Sequence, residues 1–172
     1  MSYNTIKIKK YSDVVEELTA TAVAIYPGML VELTSADTVQ AHSNAGRNAL
    51  QMFALEDEMQ GNGIDTAYAV SVPIQVWIPG RGDQVYAILA DGQNAAIGDF
   101  LESNGDGYLK VHVPDIAVGG SSLESVTDMN VYTNQIVGVC LEAANLSGSS
   151  GVGSEESVAL IAYNRRIKVR II

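Results

Sequence analysis

Val72-Pro-Ile-Gln-Val-Trp-Ile78 runs into Pro79-Gly-Arg-Gly-Asp83 and then into Gln84-Val-Tyr-Ala-Ile-Leu-Ala90. Side chains alternate along an extended chain, so Val72, Ile74, Val76 and Ile78 share one face, with Gln75 and Trp77 on the other. Two such runs around a Pro/Gly/Asp cluster predict a β-hairpin with residues 79–83 at its tip. Pro73 has no N–H to give to a ladder, which puts the first strand at a sheet edge or a bulge. Asp91-Gly92 supplies the next turn.

The same punctuation recurs on both sides of this stretch. Candidate strands are Met29–Thr34, Ala49–Leu55, Ala67–Ile78, Gln84–Ala90, Tyr108–Val113, Val131–Ala143, Ser157–Tyr163 and Arg166–Ile172, separated by Gly-, Asn- and Asp-rich turns. Many short strands at close intervals predict an all-β barrel or sandwich over residues 27–172. Residues 1–26 differ. A basic alternating start, a stretch Ser12–Leu18 that suits one helical turn or an extended chain, and the small-residue run Thr19–Ala24 predict an N-terminal arm ordered on a partner. Val113–Thr127, with Pro114 and Gly119-Gly-Ser-Ser122, is the longest expected loop.

Hydrophobic residues make up 47% of the 172-residue chain and charged residues 17%, which supports one domain with a real core rather than a disordered chain. Charge is segregated. Seven of the ten bases are Lys7, Lys9, Lys10, Arg165, Arg166, Lys168 and Arg170, whereas all twenty acids lie between Asp13 and Glu156. Ile6 and Ile8 alternate with Lys7 and Lys9, and Ile167, Val169 and Ile171 alternate with Arg166, Lys168 and Arg170. Two basic strands on an acidic body predict docking onto an acidic partner through Ile6, Lys7, Ile8, Lys9, Lys10, Arg166, Lys168 and Arg170. Charged, alternating end strands also serve to protect sheet edges. A net charge of −10 disfavours general nucleic-acid binding, since phosphates would repel the body. No apolar leader follows Met1 and no run approaches the length of a membrane span, which predicts a soluble protein made in a cytoplasm.

Chemistry-bearing patterns are sparse, and no enzyme, cofactor or metal site is expected. His42 and His112 are the only histidines, and neither stands in a nucleophile-elbow pattern with a serine or cysteine. Gly148-Ser-Ser-Gly151 reads as a flexible loop. Glu102-Ser-Asn-Gly-Asp-Gly107 has the letters of a calcium loop, but Glu102 stands where Asp is needed and Val113 where the closing Glu belongs. Ala96-Ile-Gly-Asp-Phe-Leu101 has the turn of biotinyl and lipoyl carrier domains without their hairpin-tip lysine. Arg81-Gly-Asp83 spells an integrin tripeptide on the predicted tip. Cys140, the single cysteine, sits in Ile136-Val-Gly-Val-Cys-Leu141 and reads as a small core residue. Trp77 and the tyrosines allow an alternative reading as a carbohydrate-binding or adhesion β-sandwich displayed on a particle.

Several segments, in order, carry a resemblance: Tyr26-Pro-Gly-Met-Leu-Val-Glu-Leu33; Phe53-Ala-Leu-Glu-Asp57 with Gly61 and Gly63; Val85–Gly92; Ile97–Ser103 with Gly107-Tyr-Leu109; Ile136–Glu142; and Ile167-Lys-Val-Arg-Ile171. Over residues 26–172 the chain resembles the head decoration, or capsid cement, proteins of tailed bacteriophages. The resemblance implies a compact β-barrel or β-sandwich (β-tulip-like) domain with an arm. It implies a homotrimer on the outer surface of the virion, made in the bacterial host's cytoplasm and bound to the major capsid protein. It carries over no catalytic residues.

Overall fold

The computed structural model describes residues 5–9, 14–21, 24–114, 133–147 and 165–172. They form thirteen strands: β1 (Lys7–Lys9), β2 (Val14–Ala20), β3 (Val31–Ser35), β4 (Thr38–Ala41), β5 (Phe53–Ala54), β6 (Pro73–Ile78), β7 (Gln84–Leu89), β8 (Asn94–Ala95), β9 (Phe100–Ser103), β10 (Leu109–Val111), β11 (Ile136–Cys140), β12 (Ala144–Asn145) and β13 (Arg165–Ile171). The helical content among the described residues is one 3₁₀ turn, Glu58–Gln60, whose first turn is capped by the Asp57 carboxylate. The protein is all-β.

Five strands close a barrel in the order β7-β10-β9-β11-β13, with β13 returning to β7. The closing seam is the longest in the barrel, antiparallel from Arg165 opposite Leu89 to Arg170 opposite Gln84. Alternation sends Val85, Ala87, Leu89, Leu101, Leu109, Val137, Ile167, Val169 and Ile171 into one core. A Cβ on Gly138 would lie 2.6 Å from the Arg170 carbonyl oxygen and 2.6 Å from Val169 Cγ1, so only glycine lets β11 approach β13 this closely.

The remaining long strands form a second sheet, β3-β4-β2-β6-β5. It curls until its two ends meet: Val31 N donates to Met52 O at 2.9 Å and Ala54 N to Met29 O at 3.0 Å. Leu18, Ala20, Val31, Val39, Ile74 and Val76 fill a second core, to which β7 contributes Ile88 from its outer face. β6 is buried on both sides. Ile74 and Val76 face this second core, while Trp77, with no exposed surface, joins the barrel core. Gly28, at φ 91°, holds the chain against β7, where Ile88 N donates to Gly28 O at 3.2 Å; a Cβ there would sit 2.8 Å from the Tyr86 carbonyl.

Three expectations need correction. β6 and β7 do not form a hairpin; they belong to different sheets. The reason is in the connection. Gly82 N donates to Ile171 O and Ile171 N to Asp83 O, so the tip is already paired with the C-terminal strand when β7 begins. Pro73 is not at an edge, because β6 lies between β2 and β5; its missing N–H is tolerated at the first residue of the strand. The described part of residues 1–26 is not a free arm: β1 pairs with β7, and β2 pairs with β6 from Val14–Ile78 to Thr19–Pro73. Of the two readings open for Ser12–Leu18, the described residues 14–18 take the extended one, as strand. The expected Ser157–Tyr163 strand, residues 115–127 of the expected long loop and Gly148–Gly151 lie outside the described residues.

Candidate functional site

The basic ends lie more than 150 positions apart, yet the fold brings them to the two sides of one strand. β7 has β1 along one edge, with Lys7 opposite Val85 and Lys9 opposite Gln84. Along its other edge Val169 stands opposite Val85 and Arg170 opposite Gln84. Arg170 is exposed, while Lys7 and Lys168 are partly exposed.

The apolar half of the expected docking set is used inside the molecule. Ile6, Ile167 and Val169 have no exposed surface, Ile171 has 3%, and Ile8 packs on the barrel core. These side chains cannot be offered to a partner strand. Arg166 departs further from its expected role. Only 5% exposed, its guanidinium donates to the Pro27 carbonyl, to the Ile64 carbonyl and to Asp65 Oδ1 at 2.9 Å. Ile88, its partner across the seam, faces the second core, so this part of β13 is covered by the neighbouring sheet. Arg166 is therefore an internal tie. Lys10 lies outside the described residues.

A buried polar network that no local pattern announces gathers both histidines on Glu102-Ser103 of β9. Glu102, 3% exposed, accepts from His112 Nδ1 at 2.6 Å and Gln135 Nε2 at 2.7 Å, and Lys110 Nζ stands 3.2 Å from its other oxygen. Ser103 Oγ lies 2.8 Å from His42 Nδ1, and His42 Nε2 is 3.2 Å from the Asn48 carbonyl and 3.7 Å from Glu32 Oε2. Burial raises the Glu32 pKa, but hydrogen bonds from the Ser43 hydroxyl, the Gln40 amide and the Ser43 N–H, with the nearby His42, bring it below the ordinary value. Serine, histidine and glutamate thus stand in the order of a nucleophilic set. Ser103, however, has no exposed surface, and its Oγ also receives Gly105 N at 3.1 Å. A nucleophile must reach its substrate, so this arrangement acts as a clasp between the barrel and the 42–49 loop.

Other sequence features lose their functional reading through burial. Asp83 is fully buried and caps Gly80 N at 2.7 Å, so Arg81-Gly-Asp83 does not present its carboxylate. Trp77 is interior, which removes it as a sugar platform. Cys140 donates to the Glu142 carbonyl at 3.0 Å, and burial raises its thiol pKa, away from the reactive thiolate. Asp106 accepts from Asn104 Nδ2 and Tyr108 N, which makes 104–108 a side-chain-stabilised turn. Among the described residues no group of three or more His, Cys, Asp or Glu could hold a metal ion, and no helix is long and apolar enough to cross a membrane.

Comparison with known proteins finds no family whose profile the chain matches and no curated sequence that it matches.

Proposed function

We propose that the chain is a non-enzymatic structural protein of a tailed-phage virion. In this reading it binds the outer surface of an icosahedral head, acts as a trimer, and stabilises the shell by bridging major capsid protein subunits. What supports the reading is the meeting of both basic chain ends beside β7 on an otherwise acidic chain. That arrangement brings bases from two remote segments beside one strand, and it fits an acidic partner. Because Ile6, Ile167, Val169 and Ile171 are interior, docking proceeds through the polar outer faces of β1 and β13 rather than by strand addition from free ends. Many copies on one shell would convert modest single contacts into firm reinforcement.

The test is occupancy on heads stripped of this protein, measured across a salt series. Wild type is compared with a variant carrying Lys7→Gln, Lys168→Gln and Arg170→Gln. Exposed ion pairs contribute up to about 1 kcal/mol each, so the triple variant should bind up to about a hundredfold more weakly. Its remaining binding should depend less on salt. Lys7 and Lys168 also have contacts within the chain, so the melting temperature is followed in parallel. Equal occupancy and equal salt slopes in both proteins would refute docking through this face.

A further inference from the structure

The strand registers build one continuous row across the outside of the barrel. His112 N donates to the Phe100 carbonyl at 2.8 Å, Phe100 stands opposite Val139, Val139 opposite Arg170, and Arg170 opposite Gln84. The row ends at Gln84 of β7, which stands opposite Lys9 of β1. Phe100, the first residue of β9, is 51% exposed, and Arg170 is exposed. On a chain with twenty acids, this row contains none.

We infer that Phe100, Val139 and Arg170 form a docking stripe for an acidic protein surface that carries an apolar socket, with Phe100 as the anchor. Aromatic residues, phenylalanine included, and arginine are both enriched at protein interfaces, and in this row Val139 alone separates Phe100 from Arg170. An aromatic anchor supplies affinity that salt does not screen, while Arg170 supplies orientation and rate. Arg170, the exposed charge of the row, favours an acidic partner over a basic one. This inference rests on the shell-binding reading and identifies the partner's surface chemistry.

The experiment uses the full chain and stripped heads, with Phe100→Thr, Arg170→Gln and, as a control on the 3₁₀ turn, Met59→Ser, a residue 91% exposed. Threonine keeps strand propensity at an exposed site. Phe100→Thr should bind at least about tenfold more weakly at every salt concentration, with an unchanged salt slope. Arg170→Gln should lose affinity mainly at low salt, and Met59→Ser should match wild type. If Phe100→Thr does not fold, Val139→Thr addresses the same socket. Wild-type binding with undiminished Phe100→Thr binding overturns the stripe alone. Failure of wild type to bind any head overturns both readings. Self-association of wild type that Phe100→Thr abolishes, with head binding intact, assigns the stripe to a second copy and also overturns the inference.

Discussion

Replacing Ile6 with alanine tests whether the N-terminal segment belongs to the folded body. Ile6 has no exposed surface and lies in the barrel core with Leu30, Phe53, Trp77 and Tyr86. Its N–H donates to the carboxylate of Glu56, itself only 7% exposed, and its carbonyl receives Tyr86 N at 2.8 Å. The substitution keeps these backbone bonds and removes only packed side-chain atoms. Truncating a buried isoleucine to alanine costs about 2–5 kcal/mol, and a site enclosed on all sides falls near the middle, about 3 kcal/mol. For a domain of this length each kcal/mol lowers the melting temperature by about 2–4 °C, which gives about 6–12 °C. Trp77 is the only tryptophan and sits in the same core, so its fluorescence during urea unfolding reports the loss directly. A cost below about 1 kcal/mol would show that Ile6 is peripheral and that residues 1–10 form a detachable arm after all.

Two further outcomes follow from the interior polar groups. Arg166→Leu leaves the Pro27 and Ile64 carbonyls without their guanidinium donors and should cost about 1–3 kcal/mol in urea denaturation; Lys at the same site should not restore it, because one ammonium cannot serve that fork of acceptors. Tyr68 and Tyr108 are both pushed up to about 12, first by burial and then by Asp57 and Asp106 respectively, so phenolate absorbance should show at least two tyrosines ionising late. Because their folded pKa values are raised above the ordinary value of 10, the associated stability is fully present below pH 10 and is lost as the pH rises toward 12. Early, uniform titration of all the tyrosines in the folded protein would contradict that burial.

The all-β class was legible because period-2 patterns such as Ile167-Lys-Val-Arg-Ile171 are local, and the interior of β13 follows them. Which strand pairs with which is not local. Val72–Ala90 has every mark of a hairpin, yet β6 and β7 separate because each finds a longer ladder elsewhere, with β2 and with β13. Alternation also assigns Arg166 to the polar side of its strand, correctly; that this side faces another sheet, and holds Asp65, depends on contacts a hundred residues away. The basic ends were visible as charge, but their apolar partners were read as available for docking when they are core. β9 escaped notice because its four residues open on a Gly-Asp turn. The pairing of His42 with Ser103 has no sequence signal at all, since 61 positions separate them.

The seam between β13 and β7 also governs the order of events during synthesis. Until residues 165–171 have emerged from the ribosome, β7 and β11 each present an open edge and the barrel's apolar lining has no final wall. Such edges template pairing with other chains. The pairings that close the barrel join segments about eighty residues apart, so they are slow relative to local turns. Nascent chains therefore pass through a stage that is vulnerable to aggregation and open to proteases, and completion of the last strand ends it. A premature stop before residue 165 would leave a half-open sheet in place of a barrel.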